Sequence, residues 1–217
     1  MKINEDVAEF IGFLIGDGCL SKYWSNFDSR WKYAIAFTGH WNNDYQYYEN
    51  WLRRISFIEF GIKGYLYHRK DDNTVRFFIT SKPLFMWLHS LGLPVGLKNK
   101  IKIPKEISKN LLLSTACVRG IFNSDGTVYR RYAKAYKKHP RHYQNYAVIQ
   151  FKLKNKNIVK FVKETLEKSG FAVNRITKDK EAWLCRITTQ KYIDKFFLEI
   201  ANNHKYHLNR YMQLRNS

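Results

Sequence analysis

The sequence predicts an α+β protein built from two tandem αββαββα repeats related by a pseudo-twofold axis. One helix of each repeat is paired at the interface, and a saddle-shaped antiparallel sheet lies on each side. Three observations predict this. A nine-residue stretch occurs twice, as Phe10-Ile11-Gly12-Phe13-Leu14-Ile15-Gly16-Asp17-Gly18 and as Val118-Arg119-Gly120-Ile121-Phe122-Asn123-Ser124-Asp125-Gly126, each with small residues third and seventh and Asp-Gly at the end. The two aspartates stand 108 positions apart, about half of the 217-residue chain. Later segments recur as well: Arg76-Phe77-Phe78-Ile79-Thr80-Ser81 matches Leu184-Cys185-Arg186-Ile187-Thr188-Thr189 at the same offset, and Tyr33–Phe37 matches Tyr146–Gln150 at an offset of 113. Two periods are too few for a solenoid, so paired halves are the better expectation.

In chain order, dense apolar periodicity predicts a buried helix over 5–16, followed by strands over 19–27 and 31–38. Asn42, Asn43 and Asp44 can cap a helix reaching about Phe57, with Tyr47, Tyr48, Trp51, Leu52 and Ile55 on its apolar face. A hairpin over 61–69 and 74–80 turns at Asp71-Asp72-Asn73, and Ser81 with Pro83 opens a helix ending at Gly92. The first repeat thus spans 1–93, a linker rich in Gly, Lys and Pro spans 94–107, and the second repeat spans 108–217. There the expected order is a helix over 108–124, strands near 127–137 and 144–153, and a helix over 156–169. A strand pair over 171–178 and 182–188 and a helix over 190–202 complete it.

Small residues four apart, Gly12 with Gly16 and Gly120 with Ser124, share a helical face and let two helix backbones approach closely. Gly18 and Gly126 suit a left-handed helix end. Asp17 and Asp125 then sit at C-termini, where the helix dipole is already negative, and parallel pairing brings both carboxylates to one end. Such a pair pushes one pKa up. A hard divalent cation resolves the conflict, because Mg²⁺ takes carboxylate, carbonyl and water oxygens.

With both copies in hand, the chain resembles the LAGLIDADG homing endonucleases, specifically the single-chain kind with two motifs. The copies end Ile15-Gly16-Asp17-Gly18 and Asn123-Ser124-Asp125-Gly126, departing from the family pattern yet keeping its acidic position. The resemblance implies a monomeric, site-specific double-strand DNA endonuclease that hydrolyses phosphodiesters at a long pseudo-symmetric target. Mg²⁺ is the implied cofactor, with Mn²⁺ or Ca²⁺ able to occupy the same site. Asp17, Asp125 and the carbonyls of Gly16 and Ser124 would hold the ions. The family also places a lysine or another polar residue near each scissile phosphate. Matching positions are His40 and Lys154 at the end of each half's second strand, with Lys152 beside the latter, and Lys98 and Lys205 after each half's last helix.

Charge agrees with a polyanionic partner. The chain carries 38 Lys and Arg against 18 Asp and Glu, a net +20. Residues 1–107 hold 15 basic against 11 acidic residues, and residues 108–217 hold 23 against 7, so the second half should supply more phosphate attraction. The 17% aromatic content excludes a basic disordered tail. Cys19, Cys117 and Cys185 have no zinc spacing and suit a reducing intracellular compartment, cytoplasm, nucleoid or organelle. The Met1–Asp6 segment is too acidic for a signal peptide, and the apolar run 10–20 is too short to span a membrane.

The first hairpin after each motif is the expected reader of DNA, since a β-ribbon fits the major groove. In the second half it carries Arg130, Arg131, Lys134, Tyr136, Lys137, Lys138, Arg141 and His142, with Gln150 on the returning strand. The first-half hairpin carries Lys22, Tyr23, Trp24, Asn26, Arg30, Lys32 and Tyr33, a less charged set suited to polar base readout. A solvated edge hairpin that uses Lys against aggregation would look similar. The second hairpins offer Arg69, Lys70 and Arg76, and Arg175, Lys178, Lys180 and Arg186, as phosphate clamps. His204-x-x-His207 reads as surface rather than as a metal site. Two alternatives stay open at this point: a maturase that binds its host intron RNA, and a non-catalytic DNA binder on the same scaffold.

Overall fold

Two four-stranded antiparallel sheets form the protein in its computed structural model, which describes residues 1–98, 101–131 and 146–216. The first has the order β1-β2-β4-β3, from β1 (Gly18–Ser25), β2 (Arg30–His40), β3 (Tyr65–Arg69) and β4 (Thr74–Thr80). The second repeats that order as β5-β6-β8-β7, from β5 (Gly126–Arg130), β6 (Ala147–Leu153), β7 (Thr177–Asp179) and β8 (Ala182–Ile187). Each sheet buries one face: Ile35, Phe37, Val75, Phe77 and Ile79 in the first, and Val128, Ile149, Phe151, Cys185 and Ile187 in the second. The repeated pattern seen in the sequence is therefore a repeat of topology.

Helix α1 (Glu5–Gly16) starts at Asn4, whose side chain accepts the Val7 N–H at 2.9 Å, with Glu5 and Asp6 against the positive end of the dipole. It is buried continuously from Val7 to Ile15 because it faces partners all round. Its mate α6 (Leu111–Asp125) starts at Asn110, which accepts the N–H groups of Leu112 and Leu113. The two helices meet backbone to backbone. A Cβ on Gly12 would lie 2.0 Å from the Cys117 carbonyl oxygen, and one on Gly120 would lie 2.0 Å from that of Glu9.

Between the sheets' strands run α2 (Trp41–Tyr47), a π-helical turn over Tyr48–Leu52 and α3 (Arg53–Phe60) in the first half. The π turn inserts an extra residue per turn and lets the neighbouring pairs Tyr47–Tyr48 and Trp51–Leu52 all be buried. Then come α4 (Lys82–Ser90), capped by Ser81, and the short α5 (Lys105–Lys109). In the second half α7 (Lys156–Lys168), capped by Asn155, buries Ile158, Val159, Val162 and Leu166, and α8 (Gln190–Glu199) buries Ile193, Phe196 and Phe197.

Several expectations are corrected. The helix expected over 108–124 is two, because Asn110 adopts an extended backbone and caps the second. The strand expected over 171–178 is only Thr177–Asp179. Gly18 and Gly126 are not left-handed: among the glycines, positive φ occurs at Gly61, Gly92, Gly96 and Gly170, while Gly126 is extended at φ −78°. Both open a strand directly from the helix, and a Cβ on Gly126 would strike the Phe122 carbonyl oxygen at 2.5 Å. The chain after 202 was expected to carry no further element, yet it forms α9 (Lys205–Asn216), which packs on β5 and β6 and reaches across to α2.

Candidate functional site

Both motif helices end at the same place. A Cβ on Gly16 would meet Ser124 Oγ at 1.8 Å and the Asp125 Oδ2 at 3.1 Å, so the carboxylate of one helix stands beside the last turn of the other. Asp17 is held well above the usual carboxylate range, first by burial and then by the charges of Asp125 and Asp44, with Lys98 opposing. Asp125 is also raised, by its crowded surroundings, and Lys98 again opposes. Asp125 opens to water at the mouth of a cleft while Asp17 is half-buried, so solvent screens the displacement of Asp125 the more.

Lys98 comes from the segment after α4 and enters this junction. Its Nζ donates to the carbonyl oxygens of Ile15, at 3.0 Å, and Gly16, the bare acceptors at the end of α1. Burial lowers the Lys98 pKa, against the raising effect of Asp125 and Asp17. An ammonium group between two main-chain carbonyls and two carboxylates marks a place built for positive charge. The donors are all oxygen, which suits a hard divalent cation. The residues therefore fit Mg²⁺ or a similar ion. Ser124 turns its hydroxyl back to the carbonyls of Gly120 and Ile121, each at 3.1 Å, so its hydroxyl is engaged within its own helix.

A cleft of about 560 Å³ adjoins the junction, with Gly16, Lys98, Asp125, Lys152, Lys154 and Asn155 in its walls. Three of the lysines singled out in the sequence thus share one space with Asp125. Lys152 also pairs with Asp179 at 2.7 Å. The other two positions lie elsewhere. His40 is exposed at the start of α2, its N–H bonded to Asp44 Oδ2 at 2.7 Å. Lys205 lines a second groove, of about 480 Å³, between α2 and α9, with Asn42, Asn43, Gln46, Asn209 and Arg210.

Register sorts the expected DNA readers by face. On the first sheet, Tyr23 opposite Lys32 and Arg76 opposite Thr38 and Tyr67 point away from the core, as do Arg30 and Arg69. Lys22, Trp24 and Tyr33 point to the other side of the sheet, where Lys22 and Trp24 remain exposed beyond the core. Lys22 Nζ lies 4.8 Å from the centroid of the Trp31 ring, and Tyr33 packs edge-on against Phe85. Asn26 is exposed in the turn between β1 and β2, and Lys70 in the turn after β3. On the second sheet, Gln150 lies between Thr127 and Arg186 on the outer face and accepts from Arg186 Nε at 2.8 Å and from Tyr129 at 3.3 Å. Arg130, opposite Ala147, lies on the core-side face, and Arg131 stacks over Tyr146. Lys178 sits by Trp183, whereas Arg175 and Lys180 are exposed in loops. Lys134, Tyr136, Lys137, Lys138, Arg141 and His142 lie outside the described residues.

The sequence reading missed a buried polar seam behind the aspartates. Glu9 accepts from Tyr47 at 2.9 Å, from Asn203 at 2.7 Å, from Asn123 at 3.2 Å and from Arg119 at 3.0 Å, while Arg119 Nε donates to the Ile200 carbonyl. Burial raises the Glu9 pKa, with Arg119 and then Asn203 opposing. The available signal was the placement of Glu9, Arg119 and Asn123 inside apolar helical runs. The histidines expected at the surface are also buried there: His204 stacks on Tyr47 at 4.7 Å, and His207 packs on Phe122 at 4.8 Å. His204 Nε2 stands 3.5 Å from Asp44 Oδ1. Burial, then the neighbouring His204, pushes the His207 pKa down to about 3.

No family model matches the chain. Among solved structures, it is similar to the homing endonuclease I-DmoI in complex with DNA and Mn, at 19% identity over 92% of this chain and 98% of that one, with a TM-score of 0.64. It is also similar to the LAGLIDADG meganuclease I-AabMI bound to uncleaved DNA, at 12% identity over 99% of each chain and a TM-score of 0.56. The N-terminal LAGLIDADG domain of DUF199/WhiA aligns at 14% identity over 90% of this chain and 82% of that one, with a TM-score of 0.56. At these identities the likeness establishes the fold: two similar α+β units paired through their motif helices, as in those solved structures.

Proposed function

We propose that this chain, which has the two-unit LAGLIDADG fold, is a site-specific, metal-dependent double-strand DNA endonuclease acting as a monomer. One observation carries the reading: two helix ends deliver Asp17 and Asp125 to one oxygen-lined junction that already accommodates the Lys98 ammonium. That arrangement is costly for folding and useful only for holding cations against a polyanion. Neighbours of the same fold were solved with DNA and with Mn, Ca or Mg, which supports a divalent ion, and we assign Mg²⁺ as the working one.

Asp17, Asp125 and the Gly16 carbonyl would hold the ion, which when bound supplies Lewis acidity and a water of lowered pKa. The chain's own groups then divide the remaining work. The outer sheet faces position the duplex through Arg69, Arg76, Lys152 and Arg186, which bind phosphate without reading sequence. Tyr23, Arg30, Lys32 and Gln150 present donors and acceptors to base edges. Lys98 and Lys154 face the cleft beside Asp125, where they steady the negative charge that builds on the phosphoryl oxygens as water attacks.

Asp17→Asn and Asp125→Asn should each abolish cleavage of a target duplex while leaving its affinity within a few-fold of wild type. Incubation with Mg²⁺ of a plasmid library carrying randomised inserts supplies the assay. Equal loss of cleavage, binding and fold would overturn the metal role.

A further inference from the structure

The turn between β1 and β2 holds a phenyl ring entirely in water: Phe27 is 99% exposed. An exposed aromatic residue is ordinary, but the loop that carries this one is held. Asp28 accepts the Ser25 hydroxyl at 3.0 Å, donates its own N–H back to Ser25 Oγ at 3.3 Å, and pairs with Lys32 at 2.6 Å, so the loop is tied across its base. Trp24 and Trp31 brace the strands below it, edge to face at 5.7 Å. The one acidic side chain of the turn is thereby neutralised, and Arg30 and Lys32 lie on the outward face just beneath it.

We propose that Phe27 is a specificity-determining residue that presses on the 5-methyl group of a thymine in the major groove, at the outer edge of the first half-site. The occupant is duplex DNA: the ring projects from a basic ribbon of a +20 protein, and apolar contact with thymine methyl is a recognised mode of readout. Its place along the duplex follows from the ladder. The eight residues Gly18–Ser25 rise about 3.3 Å each, which sets the turn about 26 Å from Asp17. That distance corresponds to about eight base pairs from the centre of cleavage at 3.4 Å per pair.

The inference rests on the functional reading above, and the experiment separates the two. Duplexes selected by the wild-type protein from a randomised library are titrated by fluorescence anisotropy in metal-free buffer, with each thymine replaced in turn by uracil. Wild type should lose about fourfold in affinity at one position near eight base pairs from the centre, the worth of one buried methyl group. Phe27→Ala should lose about tenfold on the parent duplex, keep its Tm, and be blind to uracil at that position. Phe27→Leu should retain most of the affinity. Undiminished binding by Phe27→Ala, or equal uracil effects in both proteins at every position, overturns the proposal and leaves the nuclease reading intact. A wild-type dimer in sedimentation that Phe27→Ala dissolves overturns it in favour of self-association. Failure of wild type to bind any duplex brings down the functional reading, and this contact with it.

Discussion

At the scale of single residues, the acidic junction works against the fold. Asp17 and Asp125 have folded pKa values above the unfolded 3.8, so the native state binds the extra protons between those values. Stability contributed by these groups is therefore largest at low pH and falls as pH rises through the raised values. At neutral pH without metal, Asp17→Asn should raise Tm by a few degrees, at about 2–4 °C per kcal/mol relieved. Divalent cation should raise the Tm of wild type and leave that of the doubly substituted protein unmoved. His207 has the opposite sign. Its folded value of about 3 lies below the ordinary 6.5, so the unfolded chain takes up the proton first and stability is lost as pH falls below 6.5. Denaturant titrations at pH 7.5 and pH 5 should show that loss in wild type and a smaller one in His207→Phe. Glu9 and Arg119 form a buried pair at 3.0 Å, and Arg119→Met should cost about 3–5 kcal/mol by leaving Glu9 without its cation.

Among the elements, the α1–α6 contact is the most exacting. Gly12→Ala and Gly120→Ala each place a methyl group where a backbone oxygen stands 2.0 Å away, and backbone cannot step aside as a flexible side chain can. Each should cost more than about 3 kcal/mol, beyond ordinary overpacking, and abolish cleavage with it. These glycines were legible in the sequence because their spacing is a steric statement. The role of Gly18 and Gly126 was misread, since a glycine demanded by crowding and one demanded by positive φ look alike in a sequence. Helix α9 was missed although Leu208, Tyr211 and Leu214 follow helical spacing, because its start carries little apolar residue and its packing partners lie on other elements. The repeat fixed the order of the strands, but not which side of β1 and β2 each aromatic residue would take. A one-residue choice of register put Trp24 and Tyr33 behind the sheet.

For the whole molecule, the fold class and the doubled motif were readable because both depend on local periodicity and on recurrence at a fixed offset. The seam of Glu9, Tyr47, Arg119, Asn123 and Asn203 was not, because it joins residues as far as 194 positions apart and no local pattern announces such a meeting. Net charge acts at this scale too. If binding neutralises six to ten phosphates, affinity should fall by about a thousandfold or more between 50 and 200 mM salt, measured by anisotropy on one duplex. Charge-reversing Lys152 or Arg186 should flatten that slope more than it changes sequence preference.

Helix α9 belongs by sequence to the second half, yet it lies across α2 of the first, and the residue before it, His204, stacks on Tyr47. Anyone recombining halves of this two-unit fold would find the cut point in the chain and the cut plane in space to be different things. A chimera joined within residues 94–107 would mate a foreign α9 with this α2. Its amide-lined groove would need to be redesigned along with the motif helices before the hybrid could be expected to fold.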